Sequence, residues 1–431
     1  MVQCLFFRSF APAQTRIAAC APCRIALVVF LALACSAVRA QTMQFADALR
    51  LANEHSALVQ ARNASLQGAT ALQISAAQLP DPRVSLGIDG LPVNGPNRGS
   101  LTRTDATKRQ IGLSQEVPNR AKRAARADAA AARVERERTL AHLERLNVRR
   151  ESGLAWLALH FAEQKLALFE SLAGHQRMLR ATAPAQLAAG RINPADVATL
   201  QLEALALDDR HDELLRDVAQ ARANLARWVG TAVMSTPPGA APALSVDAQR
   251  IRAGLDMAPD IAVFEPMLAM ANAELSEAEA ARGGDWAWSV NYGKRGPGYD
   301  DMLSVQLTFE LPWAQSERQQ PQIAARLKEV EKTLAEQTDM RQRQTLVFEL
   351  LLAELTELEA KLARVSQQAV PLAAQKTALA LTGYQAGRDK LGAVLESRKQ
   401  EAETALRELD LMARRHALQW RINSMVMGQE L

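Results

Sequence analysis

Side chains able to ligate, attack or transfer a proton are thinly spread in this chain. Its six histidines are His55, His142, His160, His175, His211 and His416. None falls in an HExxH or His-x3-His arrangement, the spacings that aim two imidazoles at one metal from a single helix face. Asp209, His211 and Asp212 are neighbours, as such residues are on any charged helix. Met267 and Met270, with Met257 nearby, have a spacing that suits soft-metal ligation and equally suits core packing. All four cysteines, Cys4, Cys20, Cys23 and Cys35, precede residue 41. Cys20-Ala21-Pro22-Cys23 has the spacing of a redox pair. No nucleotide-binding loop, nicotinamide fingerprint or nucleophile motif occurs. These residues read as packing and surface groups. No metal or cofactor is called for, and the chain is expected not to be an enzyme.

The cysteines share their stretch with a leader pattern. Residues 1–40 hold Arg8, Arg16, Arg24 and Arg39 and no acid, and Ile25 to Ala34 is an apolar run. That run falls short of the ~20 residues a spanning helix needs, and Val38-Arg39-Ala40 offers small residues to a signal peptidase. The expectation is a signal peptide over 1–40, cut between Ala40 and Gln41. Leu33-Ala34-Cys35 is also a partial lipobox, so lipidation of Cys35 is an alternative. The four leader arginines equal the whole formal charge of +4. The remainder is near neutral, without cysteine, and a nucleic-acid partner is not expected.

The elements that would have to position any site are written in two alternating codes. Leu303, Val305, Leu307, Phe309 and Leu311 are apolar, and Ser304, Gln306, Thr308 and Glu310 between them are polar. Period two over nine residues predicts a strand with one apolar and one wet face. Ile111 to Pro118 (IGLSQEVP) is written like Val305 to Pro312 (VQLTFELP). Alternation predicts further strands over 83–91 and 286–294, so the four expected strands are 83–91, 109–117, 286–294 and 303–311. Around them the chain reads as helix. One helix is expected over 43–78, a long one over 120–182, and another over 194–228. The second half repeats the order, with a helix over 251–282 broken at Ala258-Pro259, a long one over 319–381 and a last one over 390–427. Pro184 and Gly190 mark one interhelix turn, and Gly383 to Gly387 the other. Ala189-Gly190-Arg191 matches Ala386-Gly387-Arg388, and Trp228-Val229-Gly230 falls where Val426-Met427-Gly428 falls. The chain is thus a duplication: a first repeat over 41–230, a Pro/Gly/Ala linker over 231–250, and a second repeat over 251–431.

Strands of about nine residues suit an outer membrane when tilted. In hydrocarbon every strand edge must be paired, and four strands cannot close a barrel, so several copies must share one. Val305, Leu307 and Phe309 would meet lipid, while Gln306, Thr308 and Glu310 would face the lumen. Trp286, Trp288 and Tyr292 fall on the lipid side. The helices carry Arg, Glu, Gln and Asp in every turn and belong in water. The basic run Arg120, Lys122, Arg123, Arg126, Arg133, Arg136 and Arg138 reads as a solvated face paired with Asp128, Glu135 and Glu137, or, for its first members, as a contact with lipid phosphates.

The two strand-then-proline segments at Pro118 and Pro312, the glycine turns at Gly190 and Gly387, and the repeated helix-strand-strand-helix-helix unit resemble the TolC-type outer membrane efflux family over nearly the whole chain. Gln78-Leu79-Pro80-Asp81-Pro82 resembles its heavy-metal cation branch, the cobalt-zinc-cadmium or copper-silver type. The resemblance implies a mostly α protein with a small membrane β-barrel contribution. It implies a homotrimer with a twelve-stranded β-barrel in outer-membrane lipid, continued by an α-helical barrel in the periplasm of a Gram-negative bacterium. It also implies a periplasmic adaptor (membrane fusion) protein and an inner-membrane, proton-driven pump of the resistance-nodulation-division type as partners. Tyr384 matches the family's gate tyrosine, Asp196 the acid that links to it, and Glu396 an acid of the periplasmic aperture. Ala393 stands where a second aperture acid is usual. Asp389 replaces a basic gate residue, with Arg388 and Lys390 beside it. The function so implied is a passive exit channel, for heavy-metal cations or, alternatively, for drugs and other organic solutes. A periplasmic coiled-coil adaptor or scaffold is the alternative of another class.

Overall fold

The computed structural model describes residues 42–189, 192–231 and 236–427. The leader with Cys35, the cut between Ala40 and Gln41, and the glycines Gly190 and Gly428 lie outside the described residues. The chain opens with α1 (Phe45–His55) and α2 (Ala57–Ala76). These are two helices where the sequence reads one. Ser56 takes an extended conformation between them and its Oγ accepts the Val59 N–H at 3.3 Å. A serine that caps the next helix competes with continuation of the previous one. Then come β1 (Arg83–Asp89) and β2 (Lys108–Val117). β1 stops two residues short of the expected 91 because Gly90 turns the chain at φ 67°, and its carbonyl accepts the Thr107 hydroxyl at 2.9 Å.

The next helix, α3 (Arg120–Ala188), has 69 residues, about 100 Å at 1.5 Å per residue. It runs through Pro184 instead of turning there. A proline forfeits one ladder bond and crowds the preceding turn. Near a helix end that loss is local, and the buried Ala183 holds the segment against its neighbours. The partner helix α4 (Pro194–Val229) has proline at its start, where no donor is needed, and ends on Gly230 at φ 86°.

In the second repeat, α5 (Ala248–Gly254), a 3-10 turn over 255–257, α6 (Pro259–Ala262) and α7 (Phe264–Ala280) form the broken helix. β3 (Trp286–Lys294) and β4 (Met302–Phe309) follow. β4 is shifted by one or two residues from the expected 303–311, because Pro312 cannot donate and Glu310 already bonds outside the ladder to the Asp285 carbonyl at 2.9 Å. The long second helix is α8 (Gln319–Arg364), a π-helical segment Val365–Ala369, and α9 (Val370–Gln385). Last is α10 (Leu391–Ser424). Among the described residues, no helix is long and apolar enough to cross a membrane.

The strands form one antiparallel sheet in the order β1-β2-β3-β4. Its helix end continues into a slab in which α2, α3, α7 and α8 lie side by side; farther from the sheet the order is α4, α3, α10, α9. α3 is therefore the spine common to both levels. Where the levels meet, Trp156 and Trp420 are buried and Phe45 packs edge-on to both, at 5.3 and 4.9 Å between ring centres. Each indole N–H is satisfied by a carbonyl, Trp156 by Met43 at 3.1 Å and Trp420 by Arg150 at 2.8 Å. Met43 also bonds residues 237 and 239, which straps the interrepeat linker to the segment just before α1. His160 stacks on Trp156, and burial holds its imidazole below the usual range.

Gly153 makes the Trp420 contact possible, since a Cβ there would lie 2.5 Å from the indole nitrogen. Gly153→Ala must move the indole and loosen its bond to Arg150. The expected cost is about 1–3 kcal/mol. It is read as an earlier midpoint in denaturant unfolding followed by helical circular dichroism, and an unchanged midpoint would contradict this packing account.

Candidate functional site

The register of the sheet sorts its residues onto two faces. Val84 pairs with Leu113, Leu113 with Val290 and Val290 with Val305; Leu86, Ile111, Tyr292 and Leu303 make a second such row. Trp288 pairs with Leu307 and Trp286 with Phe309 on the same side. The opposite side carries Ser85, Gly112, Asn291 and Ser304 in one row and Gln110, Ser114, Ser289, Gln306 and Thr308 around it. Val305, Leu307 and Phe309 are 68%, 58% and 62% exposed, so nothing in the single chain covers the apolar face. Both outer strands, β1 and β4, have an unpaired edge among the described residues.

Sheet and helices are joined by a clasp between the repeats that sequence reading did not anticipate. Asn119 caps α3, its Oδ1 accepting the Lys122 N–H at 2.8 Å, while its amide donates to the carbonyls of Ala280 and Gly283 at 2.9 and 2.6 Å. Asp285 accepts the Asn119 N–H at 2.9 Å and the Lys122 ammonium at 2.9 Å. Burial alone would raise the Asp285 carboxyl, but the Asn119 N–H and the Lys122 charge outweigh it and hold the group below the ordinary carboxylate range. The only sequence signal was Asn119 after Pro118, a capping residue at a helix start; the partner 166 residues away left none.

The basic run is largely neutralised. Arg126 pairs with Glu277 of α7 at 2.6 Å, Arg136 with Glu137 at 2.6 Å, and Arg138 with Glu135. Arg138 and Glu135 make the solvated pair expected of this face, whereas Glu137 is buried and Arg126 pairs with an acid of the other repeat. Histidines are scattered: His160 and His416 flank Phe161, while His211 sits near Glu170. Met257 is exposed, and Met270 receives a weak contact from Arg136. Among the described residues, no group of three or more His, Cys, Asp and Glu is placed to hold a metal.

At the far end the two helical hairpins meet. Ala183, Ile192, Leu200, Leu391 and Leu395 are buried together, with Val197 and Tyr384 against them. Asp196 sits in a reciprocal cap of α4, its carboxylate accepting the Asn193 N–H at 3.1 Å and its own N–H donating to Asn193 Oδ1 at 2.9 Å. That cap is legible as Asn-x-x-Asp before an apolar run. The second turn is a Schellman end: Gly387 has φ 70°, its N–H bonds the Tyr384 carbonyl at 3.0 Å, and the Arg388 N–H bonds the Gly383 carbonyl at 2.9 Å. Arg388 and Asp389 are exposed on it, and the Asp389 carboxylate lies over Gly383, where a Cβ would overlap it. Glu396 is exposed between the buried Leu395 and Ser397, pointing away from the hairpin core. Tyr384 and Asp196 are thus brought to one tip, with Arg388, Asp389 and Glu396 on its wet surface.

No family model matches the chain, and no curated protein matches it by sequence. Solved structures do. The outer membrane protein VceC of Vibrio cholerae superimposes with a TM-score of 0.75 at 16% identity, over 90% of this chain and 97% of that one. The CmeC outer membrane channel of Campylobacter jejuni gives 0.74 at 12% identity, over 89% and 85%. CusC, whose structures describe transmembrane channel formation, gives 0.71 at 17%, over 89% and 92%. The chain has the fold of these channel proteins along nearly its whole length.

Replacing Asp285 by Asn keeps an acceptor for Asn119 and removes the ion pair to Lys122. At neutral pH the variant is expected to be less stable by about 1–3 kcal/mol. Because the folded carboxyl is held low, its contribution is present above the unfolded value of about 3.9 and is lost as pH falls through the folded one. The difference between wild type and Asp285→Asn in denaturant midpoints should therefore shrink below about pH 4. A difference that stays constant with pH would show that the clasp does not depend on charge.

Proposed function

We propose that three copies of this chain form an outer-membrane exit channel, with twelve strands closing a barrel and the long helices continuing it as a periplasmic conduit. The observation that carries this reading is the four-stranded sheet with an apolar face, a polar face and two unpaired edges, mounted on helices about 100 Å long. A sheet of that kind is stable in lipid only when its edges are closed by other copies. The likeness in fold to VceC, CmeC and CusC supports it. A coiled-coil adaptor or scaffold in water would leave the Val305, Leu307 and Phe309 face without a solvent that suits it.

The energy for transport is supplied elsewhere, by a proton-driven inner-membrane pump reached through a periplasmic adaptor. The cargo is a heavy-metal cation, supported by the Gln78 to Pro82 segment before β1. The tip carrying Asp196, Tyr384, Arg388, Asp389 and Glu396 is the periplasmic aperture. Around a threefold axis, Glu396 becomes a ring of three carboxylates, which draws cations and repels itself when the opening is narrow.

Two measurements test the reading. An oligomer in the outer-membrane fraction whose gel mobility changes on heating is expected; a soluble periplasmic monomer would overturn the channel. In planar bilayers, Glu396→Gln is expected to lower the cation-over-anion permeability ratio severalfold at low salt, and less at ~1 M salt where charges are screened within ~3 Å. Unchanged selectivity would remove Glu396 from the aperture. Deletion should sensitise cells to divalent or monovalent heavy metals and leave tolerance of organic drugs unaltered; the reverse pattern assigns organic cargo.

A further inference from the structure

The apolar face of the sheet carries one polar anomaly, at its loop end. Arg109 and Lys294 are direct cross-strand partners, in the row above Ile111 and Tyr292 and on the same side as Leu113 and Val290. Two like charges directly opposite one another on a sheet repel. On the polar face the cations are treated differently: Lys108 pairs with Asp89 at 3.0 Å, and Arg83 with Glu116 at 3.0 Å. Among the described residues neither Arg109 nor Lys294 makes an ion pair, and both are exposed. One carboxylate, Asp301, lies close enough for both charges to act on it, and it is already bonded to the Tyr292 hydroxyl. Ile88, the β1 neighbour of Arg109, brings no charge. Two cations thus share one carboxylate, which leaves a net positive charge on this row.

Their height on the wall says where that anion comes from. β3 has nine residues, so Lys294 lies about 27 Å along the strand from Trp286 at the helix end. With strands tilted by ~40°, that is roughly 21 Å along the membrane normal, close to the ~25 Å apolar band of an outer-membrane barrel. The pair therefore stands one hydrocarbon thickness from the helices, on the lipid side, at the depth of the outer headgroups.

We infer that Arg109 and Lys294 together form a binding site for the phosphate of a phosphorylated lipid headgroup in the outer leaflet. The guanidinium and ammonium both donate to phosphate oxygens, the strong charge-assisted kind of hydrogen bond. The site fixes the barrel's depth and holds a lipid at the seam between the two repeats, since β2 belongs to one and β3 to the other. This inference rests on the barrel reading.

The test uses the full chain, folded as its oligomer in detergent, with heat-modified gel mobility recorded before any lipid is added. It is then offered bisphosphorylated lipid A or the same lipid dephosphorylated, and the lipid retained after detergent exchange is counted by native mass spectrometry. Wild type is expected to retain the phosphorylated form roughly tenfold better. The double variant Arg109→Gln with Lys294→Gln should lose that preference while keeping its gel mobility. Arg109→Lys with Lys294→Arg should keep it, and so should Lys108→Gln on the inner face. Equal retention by wild type and the double glutamine variant would overturn the site, as would an equal loss in Lys108→Gln. Displacement by millimolar inorganic phosphate would show a free-anion site instead and overturn the lipid assignment. Absence of a heat-modifiable oligomer before lipid is added would locate the failure in the barrel reading and remove the site with it.

Discussion

Everything in this molecule answers to the two open edges of its sheet. β1 and β4 each present a row of backbone donors and acceptors with no partner among the described residues, and in hydrocarbon each unmet group costs several kcal/mol. With four antiparallel strands, β1 and β4 run in opposite directions, so β4 of one copy can meet β1 of the next in an antiparallel ladder. In the proposed threefold arrangement, repetition of that contact would close the ring with an antiparallel ladder at every seam. The helical slab has flanks that match this demand. Near the sheet its outer members are α2 and α8, which expose Leu58, Leu72 and Ile74 on one side and Leu334, Leu346 and Leu350 on the other. Farther away the outer members are α4 and α9, exposing Leu202, Leu205 and Leu215, and Leu372 and Leu379.

A wall that changes from strand to helix needs a joint that does not slip, because the two periods, 2.0 and 3.6, share no common face. Prolines at 118 and 312 end the strands, but a proline only stops pairing and holds nothing in place. The holding is done by Asn119 and Asp285, which tie the start of α3 to the end of α7 and the start of β3. Each repeat thus braces the other at the level where strand gives way to helix. The deeper girdle of Trp156, Phe45 and Trp420 repeats the same logic about halfway down, with residues drawn from the beginning, middle and end of the chain.

How much of this was legible in the sequence follows from how local each signal is. Period-two alternation is strictly local, and the strands came out within two residues of their expected ends. The deviations occur where Gly90 turns and where Glu310 bonds Asp285, contacts that depend on distant partners. Helix breaks were harder. Ser56 splits one expected helix because it caps the second, a choice that a serine in a helical pattern does not announce. Pro184 erred the other way: a helix stopper by propensity, it is overridden by packing around Ala183. At the hairpin tip, the residue types were readable and so was the Asn193–Asp196 cap. Which of them face the hairpin core and which face water was not, because that depends on the second hairpin lying against the first.

The two repeats share a plan, yet only the second interrupts its long helix with a π segment, and the buried positions explain why. In α8 they recur by sevens, Phe348 to Leu355 to Leu362, and Leu358 to Val365, the step that keeps one face on a neighbouring helix. The next buried residues, Ala373 and Thr377, come one residue late for that series. A π turn absorbs one extra residue, so the widened segment Val365–Ala369 returns Ala373 to the face that Val365 occupies. The same turn releases Pro371 from the requirement to donate, since it lies just past the bulge in the first turn of α9. The face then stays on α10, where Thr377 Oγ1 donates to the Ser397 carbonyl at 3.1 Å. That contact lies one residue from Glu396. The bulge therefore keeps one face of α8 and α9 on α10 across a proline and a one-residue misfit.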